Sequence, residues 1–157
     1  ISRDGQLLQL EPITVPGAPM VHDFNVTENH VIFMDLPAVW SFEGMAETGL
    51  PIVWDESYGA RLGVMPRNGT DADVKWYEID PCYVFHPMNA HEEGSKIILD
   101  VCRMNDTMKP GSSSPPYLYQ WVIDTAAGTV TEIQLDDRQT EFPRVCDTVV
   151  GLDYQFG

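Results

Sequence analysis

Basic residues are scarce in this chain: 9 Lys plus Arg stand against 24 Asp plus Glu, a formal charge of −15 over 157 residues. A surface of that sign repels phosphate backbones and anionic headgroups, which argues against nucleic acid as a partner. No apolar run approaches transmembrane length, and no signal-peptide pattern opens the sequence. The three cysteines, Cys82, Cys102 and Cys146, are an odd count without C-x-x-C spacing. They suit buried reduced thiols better than a disulfide framework or a zinc knot. Nucleophile elbows, phosphate loops and dinucleotide fingerprints are missing too. Three N-x-[ST] sequons (Asn25, Asn68, Asn105) are of the kind that arise by chance, and the expected compartment is the cytoplasm. The sequence opens at Ile1 without Met and closes at Gly157 without a stop signature, so a fragment of a longer chain is expected.

Long helical periodicity is also lacking, and twelve prolines work against it. Short β-type runs between Gly, Pro, Asn and Asp take its place. Strands are predicted at Leu7–Leu10, Val21–Val26, Val31–Asp35, Arg61–Met65, Val74–Ile79, Tyr83–His86, Lys96–Val101, Tyr117–Ile123 and Thr129–Leu135. Only Val39–Thr48 has room for a helical turn, and residues 109–116 read as a loop. The fold class is all-β.

A weak internal repeat narrows the architecture. Val21-His22-Asp23-Phe24-Asn25 leads through a turn into Val31–Asp35, and Phe85-His86-Pro87-Met88-Asn89 leads through a turn into Ile97–Val101. The two histidines stand 64 positions apart, and Glu141-Phe142-Pro143-Arg144-Val145 is placed to open a third unit. A period of roughly 55–65 residues with several strands in each unit suits β-propeller blades. A β-sandwich is the alternative. On that count the chain holds two to three blades of one propeller domain.

Four histidines are candidates for chemistry. His86 and His91 tempt as a local pair, but residues five apart on a regular strand face opposite sides. His91, beside Glu92 and Glu93, reads as a solvated turn residue. His22 alternates with Phe24 and Val26; a histidine so placed is ordinarily a hydrogen-bonded core residue, although imidazole is the commonest transition-metal ligand. Glu141 precedes Phe142-Pro143, where a carboxylate needs a partner; Arg144, Arg138 or a histidine would serve.

Across nearly its whole length the chain resembles the carotenoid cleavage oxygenase family. The resemblance rests on Met20-Val21-His22-Asp23-Phe24-Asn25-Val26-Thr27-Glu28-Asn29, Gly63-Val64-Met65-Pro66-Arg67, Trp76-Tyr77-Glu78-Ile79, Cys82-Tyr83-Val84-Phe85-His86-Pro87-Met88-Asn89-Ala90 and Glu141-Phe142-Pro143-Arg144, in that order. It implies a partial seven-bladed β-propeller with Fe(2+) on its axis, held by four histidines from different blades, His22 among them. It implies that Glu141 accepts a ring N–H from one of the iron's histidines, and that His86 is structural. His91 departs from the family, whose relatives usually have Tyr there. The activity implied for the intact protein is dioxygenase cleavage of a conjugated C=C bond of a carotenoid or apocarotenoid by O2, giving carbonyl products. The alternatives are stilbene cleavage, retinoid isomerisation or a non-catalytic scaffold. The partner is an apolar polyene or stilbene-type small molecule, and any peripheral membrane contact is expected through parts outside this stretch. The stretch alone is expected to be inactive, since an open propeller exposes strand edges.

Overall fold

The computed structural model describes residues 1–109, 111 and 114–157. Two four-stranded antiparallel sheets follow each other along the chain. The first begins with β1 (Asn25–Val26) and β2 (His30–Asp35). An excursion follows, made of β3 (Ala38–Trp40), α1 (Phe42–Thr48) and β4 (Ile52–Trp54), after which β5 (Arg61–Pro66) and β6 (Lys75–Glu78) complete the sheet in the order β1-β2-β5-β6. The second is an uninterrupted meander of β7 (Tyr83–Glu93), β8 (Lys96–Met104), β9 (Tyr117–Asp124) and β10 (Thr129–Gln139). These are two consecutive blades of a propeller.

Local chemistry explains the turns. Asp124 accepts the amides of Ala126 and Ala127 at 3.0 Å each, and Gly128 takes the left-handed φ of 73° that returns the chain into β10. Ser41 caps α1 by accepting from the Gly44 amide at 3.0 Å, and Gly49 ends it at φ 77°. Burial follows the strand period in β9, where Trp121 and Ile123 are fully buried. In β8 seven consecutive residues, Ile97 to Arg103, are buried, because that strand lies between β7 and β9 and is covered on both faces. The edge strand β10 stays largely exposed and carries Glu132, Asp136 and Arg138, charges that discourage further pairing.

A continuous core joins the blades. Ile32, Met34, Leu62, Val64 and Tyr77 of the first pack into one cluster with Tyr83, Ile97, Leu99, Val101, Trp121 and Ile123 of the second. Each large aliphatic side chain so buried stabilises the fold by about 1.5–3 kcal/mol. Polar ties support it. Glu132 accepts from Trp121 Nε1 at 2.7 Å and from the Asp80 amide beyond β6 at 2.8 Å. Within the first blade, Asp35 is 2% exposed and held by Arg61 Nε (2.8 Å) and the Tyr58 hydroxyl (2.6 Å).

The expected strands from β2 onward are present, most of them longer than predicted, and the helical turn is α1. Three differences have physical causes. Leu7–Leu10 joins no ladder among the described residues; its segment is tied down by side chains instead, Gln9 Nε2 donating to the Gly69 carbonyl at 2.6 Å. Val21–Val26 shrinks to Asn25–Val26, because Met20 and His22 are held by contacts described below rather than by strand pairing. The short strands β3 and β4 were not predicted: three residues each, next to Pro37 and Pro51, carry too little pattern. Part of the expected loop at 109–116 lies outside the described residues.

Candidate metal centre

The two blades meet where β7 passes the segment leading into β1. That segment is anchored by the Met20 amide donating to the Ala38 carbonyl (2.7 Å) and by the Tyr83 hydroxyl donating to the Met20 carbonyl (2.8 Å). These bonds leave His22 two residues further along, directly over β7. Its Nδ1 lies 2.9 Å from the Phe85 carbonyl, and its ring meets Phe85 edge-on at 5.3 Å. A carbonyl only accepts, so Nδ1 carries the proton, and Nε2 of the neutral ring keeps its lone pair.

β7 is irregular at this place. From Val84 to Pro87 four of its residues stand opposite three of β8, and from Pro87 to Asn89 three stand opposite two. Such bulges re-aim side chains, and Pro87 has no N–H to give to a ladder. His86 sits in the first of them. Its ring stands perpendicular to that of His22, with centroids 5.1 Å apart and an interplanar angle of 88°. Its Nδ1 lies 2.7 Å from Glu141 Oε2, which again leaves Nε2 as the lone-pair nitrogen. Among the described residues neither Nε2 has a hydrogen-bond partner. An open cleft of about 460 Å³ adjoins His86, lined also by Asp23, Met88, Phe142, Arg144 and Val145 among others.

Glu141 therefore pairs with histidine rather than arginine. Arg138 is engaged with Asp136, and the nearest carboxylate to Arg144 is Asp147 at 3.8 Å. That histidine, however, is His86. Two expectations from the sequence do not fit together here: a Glu141 that supports a metal-binding histidine, and a His86 that stands outside the site. The signal that could have joined them was the internal repeat, which puts His22 and His86 at the same place in consecutive units.

The donor set fits a transition metal such as iron. Two imidazoles whose Nδ1–H groups are spoken for by oxygen acceptors, with both Nε2 unbonded, have the arrangement of metal-binding histidines. Among the described residues no group of three or more metal-capable side chains is present, so these two are an incomplete donor set.

The other histidines do different work. His91 is not solvated: its side chain is 8% exposed on the long β7, edge-on to Tyr154 at 5.9 Å. The turn-like sequence around it hid the extra strand length. His30 Nδ1 lies 3.0 Å from Glu92 Oε1, which also accepts from the Asn29 amide (2.9 Å) and the Thr27 hydroxyl, while Oε2 accepts from Asn29 Nδ2 (3.0 Å). Burial pushes the Glu92 carboxyl up, but these bonds from Thr27, Asn29 and His30 outweigh it and hold its pKa at about 2. This clamps the β1–β2 turn to the end of β7. Asn89 anchors the last segment in the same way, donating to the Leu152 carbonyl at 3.0 Å and accepting from the Gly151 amide at 2.9 Å. The buried thiol of Cys82 is pushed up to about 12 and is inert.

The family model described as "Retinal pigment epithelial membrane protein" matches residues 1–157. The chain is 35% identical to a carotenoid cleavage oxygenase of Mycobacterium tuberculosis, over 99% of this chain and 41% of that protein. It is 35% identical to a carotenoid 9,10(9',10')-cleavage dioxygenase of Crocus sativus, over 92% of this chain and 29% of that one. Its structure superposes on the lignostilbene dioxygenase of Pseudomonas brassicacearum with a TM-score of 0.85 at 30% identity, covering 98% of this chain and 35% of that one. The chain thus spans less than half the length of these relatives.

Proposed function

The chain belongs to the family of the retinal pigment epithelial membrane protein and the carotenoid cleavage oxygenases, and from that premise we propose that the protein containing it is a non-haem Fe(2+) dioxygenase that cleaves a conjugated C=C bond. Its substrates are O2 and an apolar polyene or stilbene-type molecule, and its products are two carbonyl compounds. The observation that carries this reading is the pair His22 and His86, each with Nδ1 engaged and Nε2 unbonded, side by side where two blades meet.

In this reading both histidines hold the metal through Nε2, and the remaining ligands come from outside these residues, which form part of one propeller domain. Iron(II), when bound, supplies the redox chemistry that lets O2 react with a closed-shell alkene. The chain's own residues orient and tune. The Phe85 carbonyl fixes the His22 tautomer, and the Glu141 carboxylate does so for His86 while raising the basicity of its Nε2. The rigid β7 supports both, so the imidazoles need little reordering when a metal arrives.

Iron content of the intact protein tests the proposal. One iron per chain is expected, with loss of both metal and carbonyl products in His22→Ala and in His86→Ala. A full equivalent of iron in either variant would overturn that residue's assignment. Purified protein that holds iron but turns over no polyene or stilbene would return the scaffold reading.

A membrane contact is also proposed, and here it belongs to this chain. The β3–α1–β4 excursion exposes Trp40 (54%), Phe42 (94%), Met45 and Leu50, a cluster suited to dipping into a bilayer interface from which an apolar substrate is drawn. No helix among the described residues is long and apolar enough to cross a membrane. Replacing Trp40 and Phe42 by Ser should reduce sedimentation with neutral phosphatidylcholine vesicles. Undiminished binding would move the contact elsewhere.

A further inference from the structure

Phe142 holds an unusual backbone conformation for its size. Its φ is 56°, in the left-handed region that bulky residues rarely enter. Strain of this kind persists only where the surroundings over-determine it. Here the positive φ sets the direction of the ring and of the chain that follows, while the Phe142 amide donates to Glu141 Oε2 at 2.8 Å. The same oxygen accepts the His86 Nδ1–H at 2.7 Å. The Phe142 ring then lies along the His86 imidazole, with centroids 4.6 Å apart and an interplanar angle of 34°.

We infer that Phe142 is a positioning residue for the metal centre: its amide pins the Glu141 carboxylate in line with His86 Nδ1, and its ring fixes the plane of the imidazole. This rests on the reading of His86 as a metal ligand. Two contacts to one histidine–carboxylate pair, the amide on Glu141 and the ring on His86, come from one strained residue that is 74% exposed within this chain. An extended Phe142 would aim its ring away from His86, and loss of its N–H would leave the Glu141 carboxylate free to rotate. A carboxylate that can rotate loses much of its orienting effect on a ligand imidazole, an effect worth 10–100-fold in metal affinity.

Three variants of the intact protein separate the contributions. Phe142→Pro removes the N–H and forbids the positive φ. Phe142→Gly keeps both and removes the ring. Phe142→Tyr keeps all three. The readouts are Fe(2+) affinity by chelator competition and the ligand-field absorption of the Co(2+)-substituted protein, which reports ligand orientation where a melting temperature does not. Phe142→Pro should lower affinity at least about 10-fold, to the level of Glu141→Gln, and shift the cobalt bands. Phe142→Gly should lower it by a smaller factor, and Phe142→Tyr should match the parent. Parental affinity and bands in a folded Phe142→Pro overturn the inference. If that variant does not fold, Phe142→Gly decides alone, and parental behaviour in it overturns the inference as well. Iron retained in His86→Ala would instead sink the ligand reading beneath it. Iron lost there, with all Phe142 variants like the parent, sinks the positioning role alone.

Discussion

Two histidine–glutamate pairs lie along the same blade junction, alike in contact and burial but different in surroundings. His86–Glu141 and His30–Glu92 both join Nδ1 to a carboxylate oxygen, at 2.7 and 3.0 Å. Burial does not separate them: both histidine side chains are 29% exposed, and the carboxylates 23% and 19%. What separates them is the company each keeps. Glu92 collects donors from Thr27, Asn29 and His30, so His30 is one strut among several in a clamp. Glu141 serves His86 and its own neighbour's amide, and beyond His86 stands a second imidazole with an unbonded Nε2. A histidine–carboxylate contact is therefore no sign of a metal centre in itself. In the proposed reading it is the second imidazole that distinguishes the metal centre.

Substitutions can break this contrast, and the largest effect should come from the histidines. His86→Ala should empty the intact protein of iron, whereas His30→Ala should leave one iron per chain by elemental analysis. Equal losses would erase the distinction between the pairs. Next in size is Glu92→Ala, which leaves four donors of the β1–β2 turn without their acceptor. A cost of about 2–3 kcal/mol in urea unfolding is expected, with iron stoichiometry kept. Glu141→Gln should do the reverse, weakening iron by about 10–100-fold while moving the unfolding midpoint little. If Glu141→Gln destabilised the protein as much as Glu92→Ala does, Glu141 would be another clamp.

The smallest effect is a pH dependence. The Glu92 carboxyl is held at about 2 against an ordinary value of 4.5. A depressed carboxyl contributes stability above its unfolded pKa and loses it as pH falls through the folded one. The stability gap between the parent and Glu92→Gln should thus be full above pH 5 and close between about 4.5 and 2. A gap that is constant over that range would show that the clamp does not depend on the charge.

The motifs that stood out in the sequence prove to be contacts with one another. Thr27 and Asn29 of the Met20–Asn29 motif grip Glu92 just beyond the Cys82–Ala90 motif, His22 faces His86, and Glu141 of the Glu141–Arg144 motif reaches back to His86. The strands were legible because their period and their turn residues act over a few positions, as with Asp124 and Gly128. The segment at 21–24 has the same alternation, yet its chain is held by the Tyr83 hydroxyl and the Phe85 carbonyl instead of a ladder, which no local pattern records. His91 looked solvated because its neighbours are charged, whereas its burial depends on Tyr154, 63 positions away.

By itself the sequence determined that the chain is all-β and that it repeats as blades, and its resemblance singled out His22 and Glu141 as site candidates while leaving His86 as structural. Only the tertiary structure decided which histidine takes the carboxylate and which two imidazoles share a site. These partners are 55 and 64 positions apart, and their distances are set by two bulges in β7 and by the stacking of one blade on the next. Local periodicity reaches a few residues and is blind to both.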